Sequence, residues 1–395
     1  MREPTTPLGG TCPSCGSSDL RPFHEQRGIP VNSCLLVDDR RDALDFPTGD
    51  LRLELCRSCG FIFNALFDPA LTEYSPRYEE TQGFSPHFRR FALDVARRWV
   101  DRYDLHDRDI VEIGCGKGEF LALMCELGGN RGVGIDPSYR PERLDSPASS
   151  RMRFFTDFYG PDHRDIGADA VVCRHTLEHI APVAAFLDQV RAAMAPSEVA
   201  LFELPDAMRV LNEGAFWDVY YEHCSYFTAG SLARLFRSAG FDVLDLATVY
   251  GGQYLLVDAR PGPPTSPPRP GEETPAEVVA AAGRFAMAVD RSVSAWRRRL
   301  YQASLDGKRT VIWGAGSKAV SFLTVVGRDA KVAYAVDVNP NKHGKFLPGS
   351  GHLVVAPEFL KGYQPDLVIA MNSEYQDEIG ATLTELGVPA ELLAL

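Results

Sequence analysis

From Ser85 to about Val100, apolar side chains recur at Phe88, Phe91, Ala92, Val95 and Trp99. Steps of three and four predict an amphipathic helix. Asp109-Ile110-Val111-Glu112-Ile113 is a short apolar run and predicts a strand. It feeds a glycine-rich turn, Gly114-Cys115-Gly116-Lys117-Gly118, with a helix predicted to begin near Glu119. Runs at 132–135, ending at Asp136, at 170–173 and at 199–202 predict further strands. A helix over roughly 231–239 and strands near 242–246 and 254–258 follow. The proline-rich stretch 260–275 builds neither helix nor inner strand and predicts a semi-rigid connector. A long helical pattern covers 276–305. From Lys308 the order strand, glycine turn, helix begins again. It runs through Thr310–Trp313, Gly314–Ala319 and Ser321–Val326, with later strands at 332–336, ending at Asp337, 353–355 and 366–370. Strands alternating with helices predict an α/β fold with a mostly parallel, doubly wound sheet. No run of about 18 apolar residues is present, so no membrane span is expected.

Cysteine spacing changes the picture at the N-terminus. Nine cysteines occur, and four form two Cys-x-x-Cys pairs, Cys12/Cys15 and Cys56/Cys59, each followed by glycine. Two such knuckles predict a zinc ribbon, here with a long insertion between the pairs. Four thiolates leave no open coordination position, so the zinc is expected to be structural. A catalytic metal and metal-free or redox-active thiols are the other readings. The first ten residues have no apolar core and read as a frayed end rather than a secretory signal. With 41 basic and 53 acidic residues the formal charge is −12. That argues against nucleic acid and anionic membrane as partners, and leaves room for a local basic pocket that takes an anionic small molecule. A cytoplasmic location is expected.

The most informative core motif is Glu112-x-Gly114-x-Gly116-x-Gly118 followed by Asp136. Glycines let backbone approach a ligand closely, and an acidic residue ending the next strand accepts ribose hydroxyls. Glu112, before the turn, suits a cationic ligand. The pattern resembles the class I methyltransferases that use S-adenosylmethionine (SAM). The resemblance implies that the Gly114–Gly118 loop contacts the methionine part, that Asp136 binds the ribose, and that Asp157 and Phe158 flank the adenine. A dinucleotide loop and a bare structural turn are the alternatives.

In such sheets ligands bind beyond the carboxyl ends of the strands. Two segments are predicted there. In Cys173–Ile180, His175 and His179 would share one face if the segment turned helical. The other, Phe216–Phe227, packs aromatics, an acid and a histidine into a short span. Its Tyr220-Tyr221-Glu222-His223-Cys224-Ser225-Tyr226-Phe227 resembles the Tyr-x-Glu-His-x-Ser-Tyr-Phe stretch of sugar-nucleotide C-methyltransferases. Those enzymes begin with a four-cysteine zinc module, continue with a SAM domain and end in a Rossmann-like domain. Gly314–Ala319, Asp337–Gly344 and Leu347-Pro348-Gly349 carry the likeness into the C-terminal part. The resemblance implies four segments: a zinc module (1–75), a SAM-binding domain (76–260), a connector and long helix (261–305), and a smaller Rossmann-like domain (306–395). It implies His223 as base, with Tyr220 and Glu222 assisting, and His179 and Tyr78 in the pocket; His175, directly after its strand, is a further catalytic candidate from its position alone. Lys318 is the candidate contact for a substrate nucleotide or pyrophosphate. The implied reaction methylates the carbon next to the ketone of a nucleotide-linked keto-deoxysugar in secondary-metabolite (antibiotic) biosynthesis. The chain departs from that family at its first turn, usually Gly-Ser-Asn-Asp-Gly, at His175, usually Asn, and at Tyr250-Gly251-Gly252-Gln253, usually His-Gly-Gly-Ser. Methylation of oxygen or nitrogen on a sugar or other metabolite therefore stays open, as does a non-enzymatic binding module.

Overall fold

The computed structural model describes residues 10–327 and 331–395. The expected frayed start falls almost wholly on residues 1–9, outside the described residues. Three sheets organise the chain. The central one has seven strands, in spatial order Phe241–Val249, Tyr254–Pro261, Val199–Pro205, Ala170–Arg174, Asp109–Ile113, Arg131–Ile135 and Met152–Phe155. The last five of these run parallel. The two strands predicted near 242–246 and 254–258 close the sheet antiparallel instead. Met152–Phe155 was missing from the apolar pattern because it is an edge strand, with Arg153 and Phe155 exposed. The strand Asp109–Ile113 lies between neighbours reached by opposite crossovers. Its carboxyl end is therefore the switch point at which a ligand crevice forms.

The predicted helix is observed as Pro86–Tyr103, N-capped by Ser85, and it buries Phe88, Ala92, Val95, Ala96, Trp99 and Val100. It is also keyed to the sheet by polar bonds. Trp99 Nε1 and Tyr103 OH both donate to the buried Asp258, at 2.9 and 2.8 Å.

The N-terminal sheet is antiparallel: Leu20–Pro30, Thr48–Cys56, Ile62–Asn64 and, from far along the chain, Ser225–Tyr226. Ile62 pairs with Tyr226 and Phe63 with Ser225. The C-terminal sheet has five parallel strands: Val354–Val355, Val332–Val336, Thr310–Trp313, Leu367–Ala370 and Glu391–Ala394. The long helix, Pro275–Leu305, is capped by Thr274 and Glu277. Its Phe285 and Val289 share one apolar core with Leu53 of the N-terminal sheet, Phe216 and Phe322. With Ile312 and Ile369 in the same cluster, that core joins the N-terminal and C-terminal sheets. A second core, holding Phe63 with Phe202 and Val171, joins the N-terminal sheet to the central one.

The connector has no helix or strand over 262–274, as its prolines require. It is nonetheless fastened down. Glu272 accepts two bonds from Arg237 at 2.7 Å, and Asp242 accepts from Thr265 and Ser266. Among the described residues, no helix is long and apolar enough to cross a membrane.

Candidate active site

A cavity of about 1100 Å³ opens at the carboxyl ends of the central parallel strands. One end of it is the first glycine turn. Gly114 and Gly116 have φ of +71° and +53°. A Cβ on Gly114 would stand 1.9 Å from Thr176 Oγ1, so only glycine fits between this loop and the next one. Asp136 anchors the turn by accepting from Gly116 N at 2.8 Å and Ser138 N at 2.6 Å. Lys117 is buried and donates to Tyr78 O, Ser138 O and Ser138 Oγ at 2.9 to 3.2 Å. Glu112 is 2% exposed. Burial pushes its carboxyl up to about 8 against the pull of Arg174, and its Oε2 has no partner. A buried carboxylate lacking a partner, under a backbone cradle and beside a strand-end aspartate, fits a cationic nucleoside. Asp157 and Phe158 also line the cavity. Phe158 is exposed, with its ring edge-on to Tyr74.

The expectation that His175 and His179 share a helical face is corrected. The segment makes only one short 3-10 turn, Leu177–His179, and His175 sits in the left-handed region at φ +48°. The two imidazoles go separate ways. His175 Nε2 lies 2.8 Å from the fully buried Glu203, which also takes a bidentate pair from Arg174 at 2.9 and 3.0 Å. Burial opposes a charge on His175, yet Glu203 and Glu178 outweigh it and hold the ring's pKa up to about 9. Burial likewise opposes ionisation of Glu203, but Arg174 and His175 draw it down to about 2. His175 is thus a cationic member of a buried ion cluster at the cavity wall.

His179 turns the other way. Its Nδ1 lies 3.1 Å from Glu222 O and 2.9 Å from Tyr74 OH. A carbonyl only accepts, so Nδ1 carries a proton. Its ring meets that of His223 edge-on at 4.8 Å, and Tyr220 meets His223 from another side at 4.6 Å. Burial, reinforced by positive charge from His179, His175 and Lys318, holds His223 well below the usual histidine range. His223 is therefore a neutral imidazole lining the cavity.

Glu222 and His223 point apart. The Glu222 carboxylate accepts from Ser33 N at 3.0 Å, Asn32 Nδ2 at 3.2 Å and Tyr78 OH at 2.8 Å, and also from Ser33 Oγ. It clasps the N-terminal module and Tyr78 rather than presenting a free oxygen. Tyr220 OH donates to Asp218 at 2.7 Å. Asp218 also holds Arg209 at 3.1 Å and is bonded to Lys318. The Lys318 ammonium is thus paired inside the cavity. Of the two aromatics after Cys224, Phe227 packs at 5.2 Å from Phe61, while Tyr226 OH bonds to Tyr220 N and O.

Away from the cavity, the four thiols of Cys12, Cys15, Cys56 and Cys59 lie within 4.8 Å of one another. Cys12–Cys59 and Cys15–Cys56 separations are 3.7 and 3.6 Å. Thiolates at Zn–S of about 2.3 Å stand about 3.8 Å apart at tetrahedral corners, so the donor set has the dimensions zinc requires.

Among the cavity residues, Tyr74 and Glu80 lie outside every motif, and Lys117, Glu178 and Asp218 lie within the singled-out segments without a role of their own. Only their nearness in sequence to Tyr78, Gly116, His179 and Tyr220 marked them.

Comparison with known proteins adds two family matches. Residues 86–246 match a methyltransferase domain, and residues 272–388 match a C-methyltransferase C-terminal domain. The chain is 29% identical over 387 residues to the C-methyltransferase NovU of Streptomyces niveus, covering 93% of this chain and 90% of that protein. It is 32% identical over 150 residues to the 2-ketoarginine methyltransferase of Streptomyces arginensis, covering 33% of this chain and 43% of that one. Among solved structures, the N1-methyltransferase of 1,6-didemethyltoxoflavin from Burkholderia thailandensis, bound to S-adenosylhomocysteine, overlaps 43% of this chain and 78% of its own, at 20% identity and a TM-score of 0.33. The fold is that of a class I methyltransferase, and the chain is a SAM-dependent transferase. More narrowly, the C-terminal match and the full-length relative support a C-methyltransferase family for it.

Proposed function

We infer that the chain methylates the carbon next to the ketone of a nucleotide-linked keto-deoxysugar, in a secondary-metabolite pathway. The observation that carries this reading is the seating of a neutral, half-buried His223 in the same cavity as the glycine loop and Asp136. The names of both relatives agree with it, since one is a C-methyltransferase and the other acts on a keto compound.

When bound, SAM supplies an electrophilic methyl group. Gly114, Gly116 and Gly118 hold its methionine part, Asp136 its ribose, and Asp157 and Phe158 its adenine. His223 takes the proton from the carbon beside the ketone. Such a C–H is far less acidic than imidazolium, whose ordinary pKa is about 6.5, so a base alone does not suffice. The growing charge on the ketone oxygen needs a donor, which Tyr74 offers, since its hydroxyl accepts from His179 Nδ1 and keeps its own hydrogen. Tyr220, whose hydrogen is on Asp218, assists by packing against His223. Glu222 works through others, holding Tyr78 and the Asn32-Ser33 loop in place. Lys318 takes up the substrate's anionic portion, with Asp218 positioning its ammonium. The four cysteines hold a structural zinc, and the four-segment division implied by the resemblance stands as part of this reading.

The test is mass spectrometry of the purified protein with SAM and a panel of keto-sugar nucleotides, alongside proton exchange in deuterated water. A gain of one methyl with exchange of the α-hydrogen supports carbon methylation. Methyl gain without exchange assigns oxygen or nitrogen instead.

A further inference from the structure

We propose that Glu80 is a donor-binding residue whose carboxylate faces the α-ammonium at the methionine end of the bound S-adenosyl compound. Glu80 belongs to neither the sheet nor a motif. It sits on the irregular strap Tyr74–Ser85, which crosses the first glycine turn. The strap is pinned on both sides of it. Glu79 is held by Arg143 at 2.7 and 3.0 Å and by Asn339 at 2.8 Å. Thr81 Oγ1 donates to Glu119, and Gln82 accepts from Tyr375 OH at 2.7 Å. Between these anchors Glu80 is directed onto the turn. Its Oε1 lies 2.6 Å from where a Cβ on Gly116 would stand.

Of the carboxyl groups at the turn, Glu112 is held up by burial and lies under the pull of Arg174. Lys117, the cation lodged in the turn, reaches Glu80 through Oε2 at 3.2 Å; it is Oε1 that lies over Gly116. Lys117 spends its other hydrogen bonds on Tyr78 and Ser138. Asp136 is committed to the amides of Gly116 and Ser138 on the side assigned to the ribose. Glu112 lies on the strand beneath the turn. Glu80 is the carboxylate that approaches the turn from above, and its side chain keeps 30% exposure while lining the cavity. Burial pushes it up to about 7 despite Lys117, as fits a carboxylate short of positive neighbours. A zwitterionic amino-acid tail placed on this turn brings a second cation to Glu80, on the Oε1 side that faces Gly116.

The proposal rests on the assignment of the donor to the Gly114–Gly118 turn. Calorimetry on the full chain tests it with three ligands: SAM, S-adenosylhomocysteine and 5′-methylthioadenosine, which keeps the adenosine but lacks the amino-acid tail. For Glu80→Gln, Kd is expected to rise about tenfold for the first two and to stay within about twofold for the third. An equal loss for all three would make Glu80 structural and overturn the proposal. Weakening of SAM alone would assign Glu80 to the sulfonium, and no weakening would remove it from the site. The underlying assignment fails separately, if Asp136→Asn leaves all three affinities unchanged.

Discussion

His223 and His175 are the same residue type within one cavity wall, and their surroundings give them opposite charge states. His223 has aromatic rings and other cations around it, so it stays neutral and able to take a proton. His175 has two carboxylates, so it stays protonated and cannot. His223→Ala is therefore expected to keep SAM affinity, because the residue does not touch the glycine turn, and to lose about 10²–10⁴-fold in methyl transfer. Full activity in that variant, measured by product mass, would remove His223 as the base. For His175 the sign runs toward alkali. Its pKa is raised from 6.5 to about 9, so its contribution to stability is complete below about 6.5 and is lost as pH rises through 9. Thermal stability should fall over that window, and His175→Gln should flatten the fall while lowering the starting value. The residue types were legible in the sequence, but their charge states were not. His175's partner Glu203 comes from another strand, and its left-handed backbone breaks the helical register that joined it to His179.

The glycine turn and the knuckles were readable because their chemistry is local: a tight turn needs glycine, and two thiolates on one turn make half a metal site. Gly114→Ala tests the first. Its φ and the 1.9 Å approach of Thr176 Oγ1 leave no room for a methyl group, so the turn must shift. The variant is expected to lose more than about tenfold in SAM affinity by calorimetry while its far-ultraviolet circular dichroism stays that of the parent. Unchanged affinity would mean that the turn does not hold the donor. Less was readable where an element gains its meaning from a distant partner. The edge strand Met152–Phe155 carries weak alternation, and Ser225–Tyr226 is two residues long. Neither has a signature outside its sheet. The expected semi-rigid connector has no helix or strand over 262–274, though its ends fall in the strand before and the helix after. Its bonds to Arg237 and Asp242 cross 23 to 35 residues and make it a strap.

At the scale of the molecule, the cysteine module and the segment that carries His223 are one mechanical unit. Phe63 pairs with Ser225 and Ile62 with Tyr226, directly after His223. The strand that ends in Cys56 runs beside Ile62–Asn64 in the same sheet. Glu222, one residue before His223, is fixed by Asn32 and Ser33 of the same module. Disturbing the four-cysteine cluster therefore loosens the backbone that carries His223 from two directions. The glycine turn is fastened chiefly by Asp136 and Ser138, with Lys117 on Tyr78 O as its link toward the module. Cys56→Ser, or treatment with a strong chelator, is accordingly expected to act unevenly. Methyl transfer should fall by more than about tenfold, because a base displaced by an ångström misses its proton. SAM affinity should change by less than about threefold as long as the seven-stranded sheet stays folded. Parallel assays of turnover, SAM binding and zinc content on one preparation decide it. Equal loss of binding and turnover would mean that the module supports the whole fold, and loss of zinc with full turnover would mean that the sheet edge holds His223 without metal.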